Sequence, residues 1–211
     1  MKQFLAIILL VFIIVPTPVN ALAKTKYISV FVVKSDTPEY NSNKEIVRHR
    51  QIGDKLTIIA QKKGWCKLKN GHYVKASSVS LDPVSYFREK YDDNIIFVSI
   101  KLQKLMFCKD GDIVTCCDVV TGNKNSSPTP KGLFPALHKK TDANLMGLEK
   151  YHVDYYISIT DKIGLHDAHW RDQFGGRIYK GNGSHGCINI PLAEMKKIYA
   201  KTDDFTKVLV F

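Results

Sequence analysis

The sequence predicts a mainly β protein: a small β barrel, then a larger β-rich unit with a few short helices. Three observations lead there. Between about Lys24 and Leu81 the apolar runs YISVFVV, KLTIIA, WCKL and HYVKA alternate with polar turns at Ser35-Asp36-Thr37-Pro38, Lys62-Lys63-Gly64 and Asn70-Gly71. Short β-branched and aromatic runs between such breaks read as strands, and their even spacing fits a compact barrel. From Asn94 onward the pattern is strand-rich again, with IIFVSI, KLMFC, DIVTCCDVV and YYISI as candidates and Phe205 to Phe211 as a closing strand. Only one stretch has convincing helical spacing: Pro191 suits a first helical position, and Leu192, Met195, Ile198 and Tyr199 recur at the helical period.

Asp82-Pro83 breaks the chain between the two β-rich parts, and VSYFREKYDD reads as a short helical or irregular connector. The expected segments are residues 1–23, 24–82, 83–93 and 94–211. In the first, Lys2 precedes the apolar stretch Phe4 to Val15, Pro16 and Pro18 stop any helix, and Ala21-Leu22-Ala23 offers a small-residue cleavage site. That is the layout of a secretory signal peptide. The apolar stretch falls short of the roughly 20 residues that span a bilayer; an uncleaved membrane anchor is the alternative. The formal net charge of +11 favours anionic partners such as wall polymers. The lysines are scattered, with no basic stripe interleaved with aromatics, which argues against nucleic acid. Nothing in the sequence calls for a stable protein partner.

The five cysteines are Cys66, Cys108, Cys116, Cys117 and Cys187, and an odd number leaves at least one thiol free. LMFCKDGDIVTCCDVV reads as a hairpin turning on Asp110-Gly111. That places Cys108 opposite Ile113, beyond disulfide reach of Cys116 and Cys117, so these cysteines are expected to be small buried hydrophobes. No CxxC or CxxH spacing suggests a structural metal, and no cofactor is called for.

The run SHGCIN, Ser184 to Asn189, carries the functional reading. Cys187 is the candidate nucleophile, and His166 in IGLHDAHW is the candidate base from a separate segment, the usual layout of a thiol acyl-transfer site. A free thiol with a pKa of about 8.5 is little ionised at neutral pH and needs a neighbour such as imidazole to take its proton. His185 is a rival base, because residues two apart on an extended segment share a side. Gly186 lets backbone approach a substrate closely. Ser184 and Asn189 are expected to fix the loop by local hydrogen bonds. Asp167 is expected to orient an imidazole or to sit in solvent. Arg171 and Arg177 can hold a carboxylate, and these three are the candidates for substrate binding. His49, His72, His138, His152 and His169 are read as incidental.

With those motifs in hand, the stretch from about Ile95 to Phe211 resembles the catalytic domain of the L,D-transpeptidases. The matching segments come in order: Asp118 to Phe134 with Thr121-Gly122 and Thr129-Pro130-Lys131-Gly132, then IGLHDAHW, FGG at Phe174 to Gly176, SHGCINI, and the PLAEMKKIY helix. The resemblance implies that His166 takes the thiol proton while His185 shapes the pocket. It also implies an oxyanion hole from the backbone N–H groups of His185, Gly186 and Cys187. Peptidoglycan stem peptides are the implied substrate, and a 3→3 cross-link formed through a thioester is the implied product. With water as acceptor the same site would be an L,D-carboxypeptidase, and a lapsed site would leave a wall-binding protein. The run from Gly53-Asp54 through Gly64-Trp65, Asn70-Gly71 and Tyr73-Val74 resembles a bacterial SH3-like domain, which implies a wall-targeting module.

Overall fold

The computed structural model describes residues 28–145 and 151–211; the expected signal peptide lies outside them. Seven short strands come first: β1 (Ile28–Val32), β2 (Thr37–Tyr40), β3 (Ile46–Arg50), β4 (Lys55–Lys62), β5 (Trp65–Leu68), β6 (Tyr73–Lys75) and β7 (Val79–Ser80). Alternation builds their core: Val30, Val32, Leu56, Ile58, Cys66, Leu68 and Val74 bury one face. Trp65 faces outward and packs edge-on against Tyr40 at 5.3 Å. Glu39 is fully buried on β2, held by Arg50, His72 and Asn70. Burial pushes its carboxyl pKa up, but the bonds to Arg50, His72 and Asn70 outweigh that and leave it lowered.

The expected barrel does not close. The sheet runs β3-β2-β6-β5-β4-β1-β7, with β3 and β7 as its outer strands. β7 has only two residues, β2 meets β6 through the single pair Tyr40↔Tyr73, and β3 is exposed along nearly its whole length. Too little strand remains at either edge to complete the ring. Thr37-Pro38, read as part of a turn, instead opens β2. The turn itself ends at Asp36, whose φ of 52° is left-handed, and Thr37 Oγ1 closes it by donating to the Lys34 carbonyl at 2.8 Å.

The connector is helical. In α1 (Pro83–Lys90) the Asp82 side chain accepts from Ser85 N, Pro83 opens the first turn, and Phe87 is buried.

The larger unit comprises β8 (Ile95–Ser99), β9 (Lys104–Lys109), β10 (Asp112–Asp118), β11 (Gly132–Pro135), β12 (Lys139–Asn144), β13 (His152–Ser158), β14 (Gly164–Asp167), β15 (Ile188–Ile190), α2 (Leu192–Lys201) and β16 (Lys207–Val210). Two open sheets, β10-β9-β8-β16-β11 and β12-β13-β14-β15, share a core with α2. Ile96, Val98, Leu105 and Phe107 come from the first sheet, Ile157, Leu165, Ile188 and Ile190 from the second, and Met195 and Ile198 from α2. Pro191 is the residue before this helix rather than its first, with ψ 136° still extended.

The Asp110-Gly111 hairpin forms with both residues at positive φ, 53° and 88°, the signature of a two-residue primed turn. It pairs Ile113 with Cys108, and all five thiols are free. Cys66 and Cys108 are buried, whereas Cys116 is exposed and Cys117 half-buried. The expectation of burial therefore fails at this pair, because β10 turns Cys116 out to solvent.

β8 is buried on both faces, which explains its continuous apolar run. Ile96 and Val98 enter the core just described, while Ile95 and Phe97 enter another that joins Val33 and Ile52 to Phe87, Leu209 and Phe211. That second core docks the amino-terminal sheet on the larger unit. At the contact, Gly53 has φ 83°, and a Cβ there would lie 2.1 Å from the Phe211 Cβ. Gly64 has a similar φ, 79°, with open space around it. Both Gly→Ala variants are expected to lose about 1 kcal/mol from the left-handed backbone. Gly53→Ala should lose about 1–3 kcal/mol more through overpacking against Phe211. Urea denaturation of the two variants checks this; equal midpoints would be inconsistent with a tight docking contact.

Candidate active site

A parallel strand pair organises the site. β14 and β15 pair in the register Leu165↔Ile188, His166↔Asn189 and Asp167↔Ile190. Parallel neighbours need a long crossover, and here it runs from Ala168 to Cys187, with a 3-10 turn at Ile178–Lys180. The crossover returns Cys187 to a point just ahead of β15. Extending the register by one sets it beside Gly164, two register positions from His166 with the Leu165↔Ile188 pair between them. Cys187 lies on a cleft of about 810 Å³ whose walls include Tyr151, Tyr156, Trp170, Arg171 and His185.

The loop carrying the cysteine is held by hydroxyls. Ser184 Oγ donates to the Cys187 carbonyl and accepts from Gly186 N at 3.1 Å. Thr129 Oγ1 donates to the Gly186 carbonyl at 2.7 Å and accepts from Gly122 N at 2.8 Å. Gly186 has φ 118°, where a side chain is strained, and a Cβ there would lie 2.5 Å from Ile163 Cδ1. The bend at Gly186 breaks the extended geometry on which a base role for His185 depended. His185 is exposed at the rim of the cleft, with its ring 6.4 Å from that of Tyr151. Because Gly186 N–H is committed to Ser184, the candidate oxyanion donors reduce to the N–H groups of His185 and Cys187. Thr129 was visible in sequence only as a fixed point of its motif; its place under the cysteine loop is a tertiary fact.

His166 is almost completely buried. Its Nδ1 lies 2.6 Å from the Asp167 carbonyl oxygen, which can only accept, so Nδ1 carries the proton. Its Nε2 lies 3.1 Å from Asn189 Nδ2. Tyr156 stacks on the ring at 6.3 Å and Trp170 tilts over it at 6.0 Å. Burial pushes the imidazole pKa down, and the Arg171 charge adds to that, against the raising effect of Asp167. Burial also pushes the Cys187 thiol up, partly offset by the Gly164 N–H directed at the sulfur. Both shifts favour neutral groups at rest: thiol and imidazole rather than thiolate and imidazolium.

The three candidate substrate-binding residues fare differently. Arg171 lines the cleft, but its Nε donates to Asn189 Oδ1 at 2.8 Å and its Nη1 to the Asn182 carbonyl at 2.9 Å. Much of its fork is thus spent on the protein. Arg177 is exposed and is not among the residues that line the cleft. Asp167 is fully buried and does not reach the cleft. Its carboxylate accepts from Asp154 N at 3.1 Å and Tyr155 N at 2.7 Å, and faces His169 Nε2 at 3.0 Å. Neither a solvated nor a substrate-binding role fits it: backbone amides of β13 have claimed its oxygens. Asp154, Asp167 and His169 are the group among the described residues whose side chains could together reach a metal, and their mutual ion pairing accounts for the arrangement.

Comparison with known proteins follows the same lines. Residues 93–210 match the YkuD family, the L,D-transpeptidase catalytic domain. No curated protein matches the chain. Among solved structures, a mutant of Enterococcus faecium L,D-transpeptidase is similar with 24% identity and a TM-score of 0.55, covering 85% of this chain and 76% of that one. The isolated catalytic domain from E. faecium L,D-transpeptidase is 36% identical with a TM-score of 0.50, covering 56% of this chain and 97% of that one. The same domain acylated by ertapenem matches with the same identity and score.

Thr129 satisfies two buried backbone groups at once, so Thr129→Val should cost about 2 kcal/mol or more. Thermal denaturation measures the loss, and amide hydrogen exchange should rise at Gly122, whose N–H loses its acceptor. Unchanged protection there would mean that the hydroxyl does not hold the loop.

Proposed function

The chain belongs to the L,D-transpeptidase family, and from that premise we propose an exported enzyme that forms 3→3 peptidoglycan cross-links through a thioester on Cys187. One observation supports this most: a half-exposed thiol stands on a cleft two register positions from a buried histidine whose Nδ1–H is fixed by the Asp167 carbonyl. In this reading His166 Nε2 takes the thiol proton as the sulfur attacks the carbonyl of the third stem residue. The C–S bond forms, the amide C–N bond breaks, and the D-alanine amine leaves with the proton from His166. The side-chain amine of a neighbouring stem then attacks the thioester, the C–S bond breaks, and the thiol is restored.

The N–H groups of His185 and Cys187 serve as oxyanion donors, each a kind of contact whose loss costs on the order of 10²–10³ in rate. Anionic wall polymers are the proposed surroundings, reached through the segment 1–23, with the amino-terminal sheet as the wall-directed part. The similar E. faecium domain in its ertapenem-acylated form supports a carbapenem as a probe of the same thiol.

Incubation with a carbapenem followed by mass spectrometry should give one adduct on the native protein and none on Cys187→Ala. With a disaccharide tetrapeptide, cross-linked dimer supports transfer, while tripeptide alone would replace transfer by hydrolysis. His166 has a lowered pKa, so it is already a free base at neutral pH, and the acid limb of acylation should lie below about 6.5. Cys187 has a raised pKa, so alkylation by iodoacetamide in a His166→Ala variant should climb only above the ordinary thiol range. An acid limb above neutrality would contradict a buried neutral base.

A further inference from the structure

The group that faces His166 Nε2 is Asn189, and behind it stands Arg171. We propose that Arg171, acting through the Asn189 amide, is a positioning residue that holds His166 neutral, with its proton on Nδ1 and its Nε2 unprotonated. This rests on the assignment of His166 as the base. Donor and acceptor identities decide the tautomer. An arginine donates and never accepts, so Nε of Arg171 at 2.8 Å fixes the Asn189 oxygen toward itself. The amide's N–H₂ end must then face the imidazole, where it lies 3.1 Å from Nε2. A nitrogen approached by a donor has to accept, so Nε2 carries no proton. From the other side of the ring the Asp167 carbonyl demands a proton on Nδ1. Both ends of the chain of bonds specify the same tautomer.

The parts are anchored by hydrogen bonds. The Asn189 backbone exchanges two hydrogen bonds with Val120, both at 2.9 Å, in addition to its pairing with His166 on β14. The guanidinium is anchored a second time by the Asn182 carbonyl. Asn189 cannot turn its oxygen toward the imidazole without breaking the arginine bond.

The consequence concerns the proton in transit. When the S–H bond breaks and an Nε2–H bond forms, the new N–H confronts the N–H of Asn189, two donors face to face. The imidazolium therefore holds its proton weakly and passes it to the departing amine; the Nε2–H bond breaks, the amine N–H bond forms, and Nδ1–H is untouched throughout. The charged and titratable groups around the ring are few. Tyr156 stacks from β13, Asp167 lies next along β14 with His169 and Asp154 behind it, and Arg171 follows the strand; Cys187 stands two register positions away, ahead of β15. Asp167 favours imidazolium, and Arg171 with Asn189 opposes it.

The test reads the ring directly. Histidine side-chain ¹⁵N spectra of the full chain, titrated with pH, should show native His166 in the Nδ1–H form. In Arg171→Met the amide is free to turn, and a population with Nε2–H should appear; Arg171→Lys, which keeps a donor, should restore much of the native pattern. The isosteric Asn189→Asp replaces a donor by a carboxylate facing Nε2. There the His166 pKa and the acid limb of carbapenem acylation should both rise by about one unit or more, the effect of a neighbouring opposite charge. Native-like ring shifts and an unmoved pKa in both Arg171→Met and Asn189→Asp would overturn the proposal, even if activity falls. If instead the native protein takes no carbapenem adduct, the thioester reading fails, while the ring spectra still decide the tautomer.

Discussion

The site depends on the parallel pairing of β14 with β15. A parallel pair cannot be made by a hairpin, so the chain must leave one strand, travel, and return alongside it. That journey carries the crossover residues Trp170, Arg171, Ser184 and His185 to the cleft and brings Cys187 back next to the strand that holds His166. The register is enforced from the core side, where Leu165, Ile188 and Ile190 are fully buried against α2 and the other sheet. A slip of one residue would turn those side chains outward. The hydrophobic core thus sets the chemical geometry, and the loop hydroxyls of Ser184 and Thr129 complete it.

Burial has a second effect, on charge. A thiolate–imidazolium pair is a common way to arm a cysteine, and it requires a polar or cationic setting. Here desolvation acts on both partners, raising the thiol and lowering the imidazole. The resting thiol and imidazole are neutral, and in the proposed mechanism charge develops only when a substrate carbonyl offers an oxyanion to the loop amides. In the proposed mechanism such a thiol needs its base at every turnover.

Much of the architecture was legible in the sequence because periodicity and turn chemistry are local. The Asp110-Gly111 hairpin, the connector at Asp82-Pro83 and the helix marked by Met195 and Ile198 each follow from residues within a few positions. The candidate cysteine and histidine were picked out by residue type and motif order. What stayed hidden was long-range. Barrel closure depends on how much strand is left at two edges far apart in sequence. The fate of Asp167 depends on backbone amides of β13, and the commitment of Arg171 on Asn182 and Asn189. An exposed Cys116 beside a half-buried Cys117 reflects which face of β10 meets α2. A charged residue near a motif does not announce whether its partner is a substrate or its own chain.

The docking core adds a constraint on how the two parts can act together. Val33 and Ile52 from the amino-terminal sheet pack with Phe87, Leu209 and Phe211, and Leu209 lies on β16, the strand that pairs with β8. The faces of β8 and β16 that look away from the main core would otherwise meet water, so the amino-terminal sheet covers apolar surface that the larger unit cannot bury alone. Contacts of that kind hold two units in one orientation more firmly than a polar tether does. A wall polymer bound by the amino-terminal sheet would then be presented to the cleft at a fixed angle. On the proposed wall-directed reading, the reach of the cleft would be set by that angle, not by the length of the Asp82-Pro83 connector.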